Sequence, residues 1–409
     1  MDVNEIRRLV PALSRKVYGR DVVYFDNAAT SQRPQSVIDE WVRMTVRCNA
    51  NIHRAVHLMS GEATDAYEQA RERVRRFINA KEKEEIVFTS GTTASVNLVA
   101  FSFGEAFVSE GDEVIVTECE HHSDIVPWQM MCQRKKAVLR VLPVDDTGHI
   151  KTGLLSGMLS SRTRIVCVTH ISNVLGLVNP VREVVRLCHG QGIPVLVDGA
   201  QGIVHSKVDV QDLDCDFYAF SGHKIYAATG TGVLYGKKSW LDRMPPYMGG
   251  GEMVGTVRFS GTTYAPLPLK FEAGTQNFAG AATLCPALDF ADSLAEDMYL
   301  CRYSDWVRDY LLDSLLSDER IHLYGVPAVR DEKIPLFSFS VEGVHHEDLA
   351  LILDKMGIAV RSGQMCSEPL MDRFGVTGML RASLAPYNTM EEAEYFMASL
   401  GKAIDMLRQ

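Results

Sequence analysis

The sequence predicts an α/β protein, with a mostly parallel sheet covered by helices on both faces and a smaller α+β domain attached to it. Three observations lead there. From Glu85 onward EEIVFTSG, DEVIVTECEHH, AVLRVLPV and RIVCVTHISN are each followed by a helical pattern, and PVLVDGAQ closes the series. Several of these runs are apolar without alternation, as strands buried on both faces of a parallel sheet require. The chain, 409 residues with 46% hydrophobic and 23% charged, is long enough for a large core and a second, smaller one.

In chain order, a helix and the short strand VVYFDNAAT open the sequence, with a turn at Asp26 and Asn27. Helical patterns follow at 34–48 and 61–79; in the second, Ala63, Ala66, Tyr67, Ala70, Val74, Phe77 and Ile78 hold one apolar face. The alternating strands and helices come next. The stretch from Met248, rich in Gly, Thr and Pro, predicts an extended connection. Beyond it lie helices over 281–316, strands at 321–324, 336–341 and 358–361, a helix at 347–355 and a final helix after Thr389. The expected division is an N-terminal segment (1–30) packing with the small domain, a large domain (31–280), and a small α+β domain (281–409).

Composition narrows the function. Acidic residues outnumber basic ones, 52 to 42, which argues against a general nucleic-acid role. The amino terminus is charged and amphipathic, without the apolar core of a signal peptide, and no run approaches a membrane span, so the expected compartment is the cytoplasm. Nine scattered cysteines, with no CxxC pair or zinc-ligand spacing, argue against a disulfide framework or a zinc site. Cys366 stands apart, in the polar loop RSGQMCSEP.

The chemistry centres on FYAFSGHK, Phe217 to Lys224, a buried-strand pattern that ends by presenting a lysine. PVLVDGAQ is a second such strand, ending in Asp198. A lone lysine is most often a solvated surface residue. If the two strands are neighbours, however, Lys224 and Asp198 supply what pyridoxal phosphate needs: an amine for the aldehyde, and a carboxylate that keeps the pyridine nitrogen protonated. Ser90-Gly91-Thr92-Thr93 opens a helix and offers N–H groups, hydroxyls and a dipole to a phosphate, where alone it would be an ordinary cap. Ser221 and His223 add donors to the same anion. His121 ends another strand and is placed to stack on a planar cofactor, or to be only a hydrogen-bonded structural residue. The Asn173 amide suits a substrate carboxylate or a turn.

The segments YFDNAAT, IHRAVH, TSGTTASVNLVA, ECEHHSDIVPWQ, THISNVLG, VLVDGAQ, DFYAFSGHK, FEAGTQN, AVRSGQMC and LRASLAPYN run nearly end to end. In their order and spacing the chain resembles the fold-type I pyridoxal phosphate enzymes of the class V aminotransferase group, and within it the SUF-type (group II) cysteine desulfurases. The resemblance implies a PLP-dependent transferase fold with a mostly parallel seven-stranded-type sheet. It implies that Lys224 holds the cofactor aldehyde and moves the Cα proton, Asp198 holds the pyridine nitrogen, Gln201 bonds the ring hydroxyl oxygen and His121 stacks on the ring. Thr93, Ser221 and His223 would bind the phosphate, with Gly274 and Thr275 contributed across a homodimer. Arg381 would clamp the substrate carboxylate, a task suited to a guanidinium fork, and Asn173 would assist.

Cys366 would be the nucleophile that takes sulfur from L-cysteine as a persulfide, releases L-alanine, and passes the sulfur to a carrier protein for iron–sulfur cluster assembly. Arg361 is the candidate to favour its thiolate. Many relatives carry two histidines before this cysteine, where this chain has Gln364 and Met365, so proton handling would fall to His121 or water. Selenocysteine lyase and cysteine sulfinate desulfinase activities occur on the same scaffold. A reading of another class, a metal-dependent hydrolase, would use His53, His57, His121, His122 and Asp124, with His53 and His57 on one helix face. It lacks a HExxH-type glutamate and leaves Lys224 and Asp198 idle.

Overall fold

Strands built from nearly unbroken Val, Ile, Leu and Phe form a seven-stranded sheet at the centre of the protein. In the computed structural model, which describes residues 2–408, the order across the sheet is Ile86–Thr89, Gly232–Gly236, Phe217–Ser221, Val195–Asp198, Thr163–Thr169, Glu113–Thr117 and Val138–Leu142. Six run parallel, and Gly232–Gly236 is antiparallel to both of its neighbours. The alternation of strand and helix therefore predicted the architecture. The antiparallel member was missed: TGVLYG follows Lys224 after a short connection, and only an antiparallel partner can be reached that way.

Period-two alternation along the strands divides the core between two layers. Val166 and Val168 pack in one cluster with Val195, Val197, Tyr218 and Phe220, while Ile165 and Cys167 face the other with Leu196, Phe217 and Ala219. Because both faces are covered, the Glu113, Phe217 and Gly232 strands are buried along their whole lengths. The register brings strand ends together: Thr169 pairs with Asp198, Asp198 with Ala219, and Ser221 with Gly232, which also faces Thr89. Glycine at 232 permits this arrangement. A Cβ there would lie 2.3 Å from the Gly91 Cα, so the Ser90–Thr93 turn could not settle against the rim.

A second core lies in a four-stranded antiparallel sheet, ordered Ile321–Tyr324, Leu336–Val341, Met379–Ser383 and Arg361–Gly363. The strand expected at 358–361 is two pieces with different partners. Ile358–Ala359 pairs in parallel with Val23–Tyr24, and Arg361–Gly363 turns to pair with Met379–Ser383. Val23 and Phe25 join this second core, whereas Ile6, Val10 and Leu13 pack in the first. The connection from Met248 contains an exposed hairpin, Val254–Arg258 with Gly261–Tyr264. Among the described residues no helix is long and apolar enough to cross a membrane.

Candidate active site

The ends of these strands open on a cavity of about 270 Å³. Thr93, His121, Asn173, Asp198, Gln201, Ser221, His223, Lys224, Arg361, Cys366 and Arg381 all line it, although they come from segments spread over most of the chain. At one end Ser221 Oγ accepts the Thr92 N–H at 2.8 Å and bonds the Thr92 hydroxyl at 2.8 Å, so the helix that starts at Thr92 is fixed with its N-terminus at the cavity. The Thr93 hydroxyl pairs with Ser123 Oγ at 2.7 Å. Hydroxyls, a helix N-terminus and His223 there make an end suited to an anion.

Asp198 and Lys224 face one another across neighbouring strands. Burial raises the Asp198 carboxyl, while Lys224 and the Ala200 N–H, donated at 2.8 Å, pull it down. Its other oxygen has no donor among the described residues, which leaves an acceptor in the cavity for a protonated ring nitrogen. Enclosure lowers the Lys224 amine to about 8, against the pull of Asp198 and with help from Arg381. His121 Nδ1 accepts the Ser123 N–H at 3.0 Å and bonds the Ser123 hydroxyl at 2.9 Å. Burial and the nearby cations lower this imidazole to about 4, so it is neutral at physiological pH and presents a flat, uncharged ring. Gln201 donates one amide hydrogen to the Ala28 carbonyl at 2.8 Å, which fixes its orientation. Carboxylate, amine, ring, amide and anion-binding end thus fit pyridoxal phosphate.

Opposite them, Arg381 is buried and donates through Nη1 to the Asn173 carbonyl at 2.7 Å and through Nη2 to Asp26 at 3.3 Å. Its Nε–H is buried without a partner, a donor that a substrate carboxylate would satisfy. Asp26 also takes the Arg361 guanidinium, at 3.0 Å to Nη2. Arg361 is therefore committed to a carboxylate and makes no hydrogen bond to Cys366.

The Cys366 loop is tied down rather than free. Met365 and Cys366 adopt left-handed backbone conformations, φ 53° and 54°, unusual for side-chain-bearing residues and sustained only by surrounding contacts. Those contacts are the His122 N–H to the Cys366 carbonyl at 2.7 Å, the Glu368 N–H to His122 Nε2 at 3.0 Å, and the Asn173 amide to the Met365 carbonyl at 2.8 Å. The Asn173 side chain, expected to assist at the substrate carboxylate, is used to hold this loop; its backbone carbonyl is what touches Arg381. Gln364 is exposed and bonds Glu368 at 3.2 Å, whereas Met365 points into the cavity.

Gly274 and Thr275 do not reach this cavity within one chain. Thr275 instead lines a second one of about 190 Å³, beside Tyr67 and Phe88. The histidine pair of the metal reading is corrected outright. His53 has φ 70° in a non-helical turn and His57 caps the helix that begins at Leu58, so they share no helix face. His122 holds the cysteine loop and Asp124 faces the interior. Among the described residues no group of three or more His, Cys, Asp or Glu side chains is arranged to hold a metal ion.

The profile of the family described as Aminotransferase class-V matches residues 23–396. The chain belongs to that family. It is 45% identical to a probable cysteine desulfurase of Vibrio cholerae over the whole of both chains, and 44% identical to a cysteine desulfurase of Cronobacter sakazakii over 97% of each. Among solved structures it is similar to the cysteine desulfurase CsdA of Escherichia coli in its S-sulfonic acid form (TM-score 0.90, 37% identity, 99% of both chains). It is also similar to the apo cysteine desulfurase of Thermococcus onnurineus (TM-score 0.91, 34% identity, 98% of both chains). The cofactor of this class V enzyme is pyridoxal 5′-phosphate, which agrees with the residues around the cavity.

Reading the sequence missed Asp26 and Ser123 as site residues. Asp26 sits in the recognised YFDNAAT segment, yet nothing local shows that its carboxylate will join Arg361 and Arg381 from the far end of the chain. Ser123 did carry a signal, because a hydroxyl two residues after a histidine at a turn is placed to bond that imidazole.

Proposed function

We propose that this chain is a cysteine desulfurase that converts L-cysteine to L-alanine and retains the sulfur as a persulfide on Cys366. The observation that carries this reading is the convergence of Lys224, Asp198, Arg381 and Cys366 on one cavity. Pyridoxal phosphate, when bound, supplies an electron sink that allows the Cα–H and Cβ–S bonds of the amino acid to be weakened. Asp198 holds its ring nitrogen, Gln201 its ring oxygen, and Thr93, Ser221 and His223 its phosphate. His121 lies against the ring.

Arg381 orients the substrate by its carboxylate. Lys224, freed of the aldehyde when substrate binds, takes the Cα proton, for which an amine titrating near 8 is well matched. The Cys366 thiolate then attacks the substrate sulfur. A sulfur–sulfur bond forms, the carbon–sulfur bond breaks with its electron pair left on the substrate β-carbon, that carbon takes a proton, and Lys224 returns the Cα proton to give alanine. A single turnover with L-cysteine tests this: equal amounts of alanine and of added sulfur on the Cys366 peptide, read by mass spectrometry, are expected. Alanine without the sulfur would move the chemistry to the lyase alternatives.

Cys366 is exposed, which supports onward transfer of its sulfur to a carrier protein serving iron–sulfur cluster assembly, in the manner of a SUF-type enzyme of the cytoplasm. The distance of Thr275 from the cavity of its own chain supports a homodimer in which Gly274 and Thr275 complete the phosphate site of the other subunit. A dimeric mass in solution is expected, and a monomeric mass at working concentration would remove that part of the site.

The Lys224 amine gives a pH prediction. With a titration near 8, about one amine in ten is neutral at pH 7 and about nine in ten at pH 9. Covalent capture of added pyridoxal phosphate by the apoprotein, followed by absorbance, is expected to speed up about tenfold over that interval. A rate that stays flat from pH 7 to 9 would contradict the lowered amine.

A further inference from the structure

Directly behind Asp198 lies a pair of carboxyl groups that the reaction does not use. Glu120 and Asp124 are fully buried and bracket His121 in the chain. One oxygen of each is anchored. Glu120 Oε1 accepts the Thr169 N–H at 2.7 Å and the Thr117 hydroxyl at 2.5 Å, and Asp124 Oδ1 accepts the Trp128 indole N–H at 2.8 Å. The other two oxygens, Glu120 Oε2 and Asp124 Oδ2, are buried with no protein donor, yet the two side chains are within hydrogen-bonding reach of one another. Two acceptors in that position are satisfied only if a proton lies between them.

We propose that Glu120 and Asp124 share one proton in a buried carboxyl–carboxylate hydrogen bond, and that this bond closes the turn that presents His121 beside Asp198. Thr169, which Glu120 grips, is the register partner of Asp198, so the bond ties the His121 turn to the strand end next to the cofactor-binding carboxylate.

The groups around the pair favour retention of the proton. Asp198 faces it from the Val195 strand with the same charge, Cys167 faces it from the Thr163 strand, and Cys119 lies beside it; Thr117 and Trp128 offer only neutral donors. Among the described residues no cation pairs with either carboxyl. Burial, with the Asp198 charge added to it, raises both carboxyls above the usual carboxylate range, so the pair keeps its proton at neutral pH. The pair then contributes a single negative charge behind Asp198, which favours the protonated form of the ring nitrogen that Asp198 holds. That last consequence rests on the proposed role of Asp198. The shared proton does not.

The test is infrared spectroscopy of the holoprotein at neutral pH, compared with Glu120→Gln and Asp124→Asn. Either amide presents an N–H to the remaining carboxylate while its oxygen keeps the original donors, so each single variant imitates the singly protonated pair. A carbonyl stretch of a protonated carboxylic acid is expected in the wild type and absent from both variants. Placing two NH₂ groups face to face, the double variant is expected to unfold at a lower temperature than either single one.

A merely structural role would leave the pH dependence unmoved. The native pair keeps a proton that an unfolded glutamate loses near its ordinary 4.5, so wild-type stability should fall as pH rises from about 5 to 8. That slope should be smaller by one proton in each single variant. No infrared difference in folded, yellow protein, or single variants as unstable as the double, would overturn the proposal. Wild-type protein that takes up no pyridoxal phosphate would overturn the cofactor assignment instead, and the infrared comparison of apoproteins would still decide the shared proton.

Discussion

Lys224→Ala is expected to lower alanine release from L-cysteine by ~10³-fold or more, because in the proposed mechanism it removes both the amine that captures the aldehyde and the base that moves the Cα proton. Among the described residues Lys224 is the one lysine lining the cavity, so no other lysine there is placed to replace it. Lys333, the other strongly perturbed lysine, is buried and donates to the carbonyls of Leu175 and Gly325. The variant should fold, since Lys224 makes no side-chain hydrogen bond among the described residues and its loss relieves an amine whose charged form burial disfavours. Asp198, Ser221 and Thr93 remain in place, so pyridoxal phosphate should still bind but without the yellow absorbance of the lysine-bound form. Turnover within tenfold of wild type would show that the lysine is not the base.

Cys366→Ala is the second large effect. Alanine retains the Cβ and so carries the same left-handed backbone cost at φ 54°, and the bond from the His122 N–H to the residue 366 carbonyl does not involve the side chain. The loop should therefore stay in place, and any loss reports on the thiol alone. Alanine production from L-cysteine should fall by about 10²-fold or more, with no sulfur retained on the protein, because the attacking atom has been removed. Substrates whose β-substituent leaves without a nucleophile should be affected much less. Undiminished release of alanine from L-cysteine by Cys366→Ala would place the chain with the lyases of this scaffold, and comparison of L-cysteine with L-selenocysteine on both proteins separates the two outcomes.

Much of this site was legible from the chain. Lys224 and Asp198 stood at the ends of runs that could only be buried strands, and in a parallel sheet the carboxyl ends of strands meet at one rim. The Ser90–Thr93 turn was legible for the same reason, as a polar cluster where a strand gives way to a helix. Arg381 and Cys366 were found by resemblance, because a short strand and a polar loop carry no local sign of where they will fold. Asn173 shows the limit: its position was anticipated, but an amide can serve a ligand or a loop equally well, and the side chain turns to Met365.

By itself, then, the sequence determined the periodicities, the fold class and the residue types at the strand ends, since hydrophobic patterning and turn chemistry are local and survive without partners. Tertiary structure alone decided which polar groups meet. Asp26 reaches Arg361 and Arg381 across more than three hundred residues, Glu120 and Asp124 are buried together near Asp198, and Gly274 and Thr275 lie away from the cavity of their own chain. Each of those outcomes depends on how buried charges and unpaired donors are satisfied in three dimensions, and a polar side chain carries no record in its neighbours along the chain of which partner folding will bring to it.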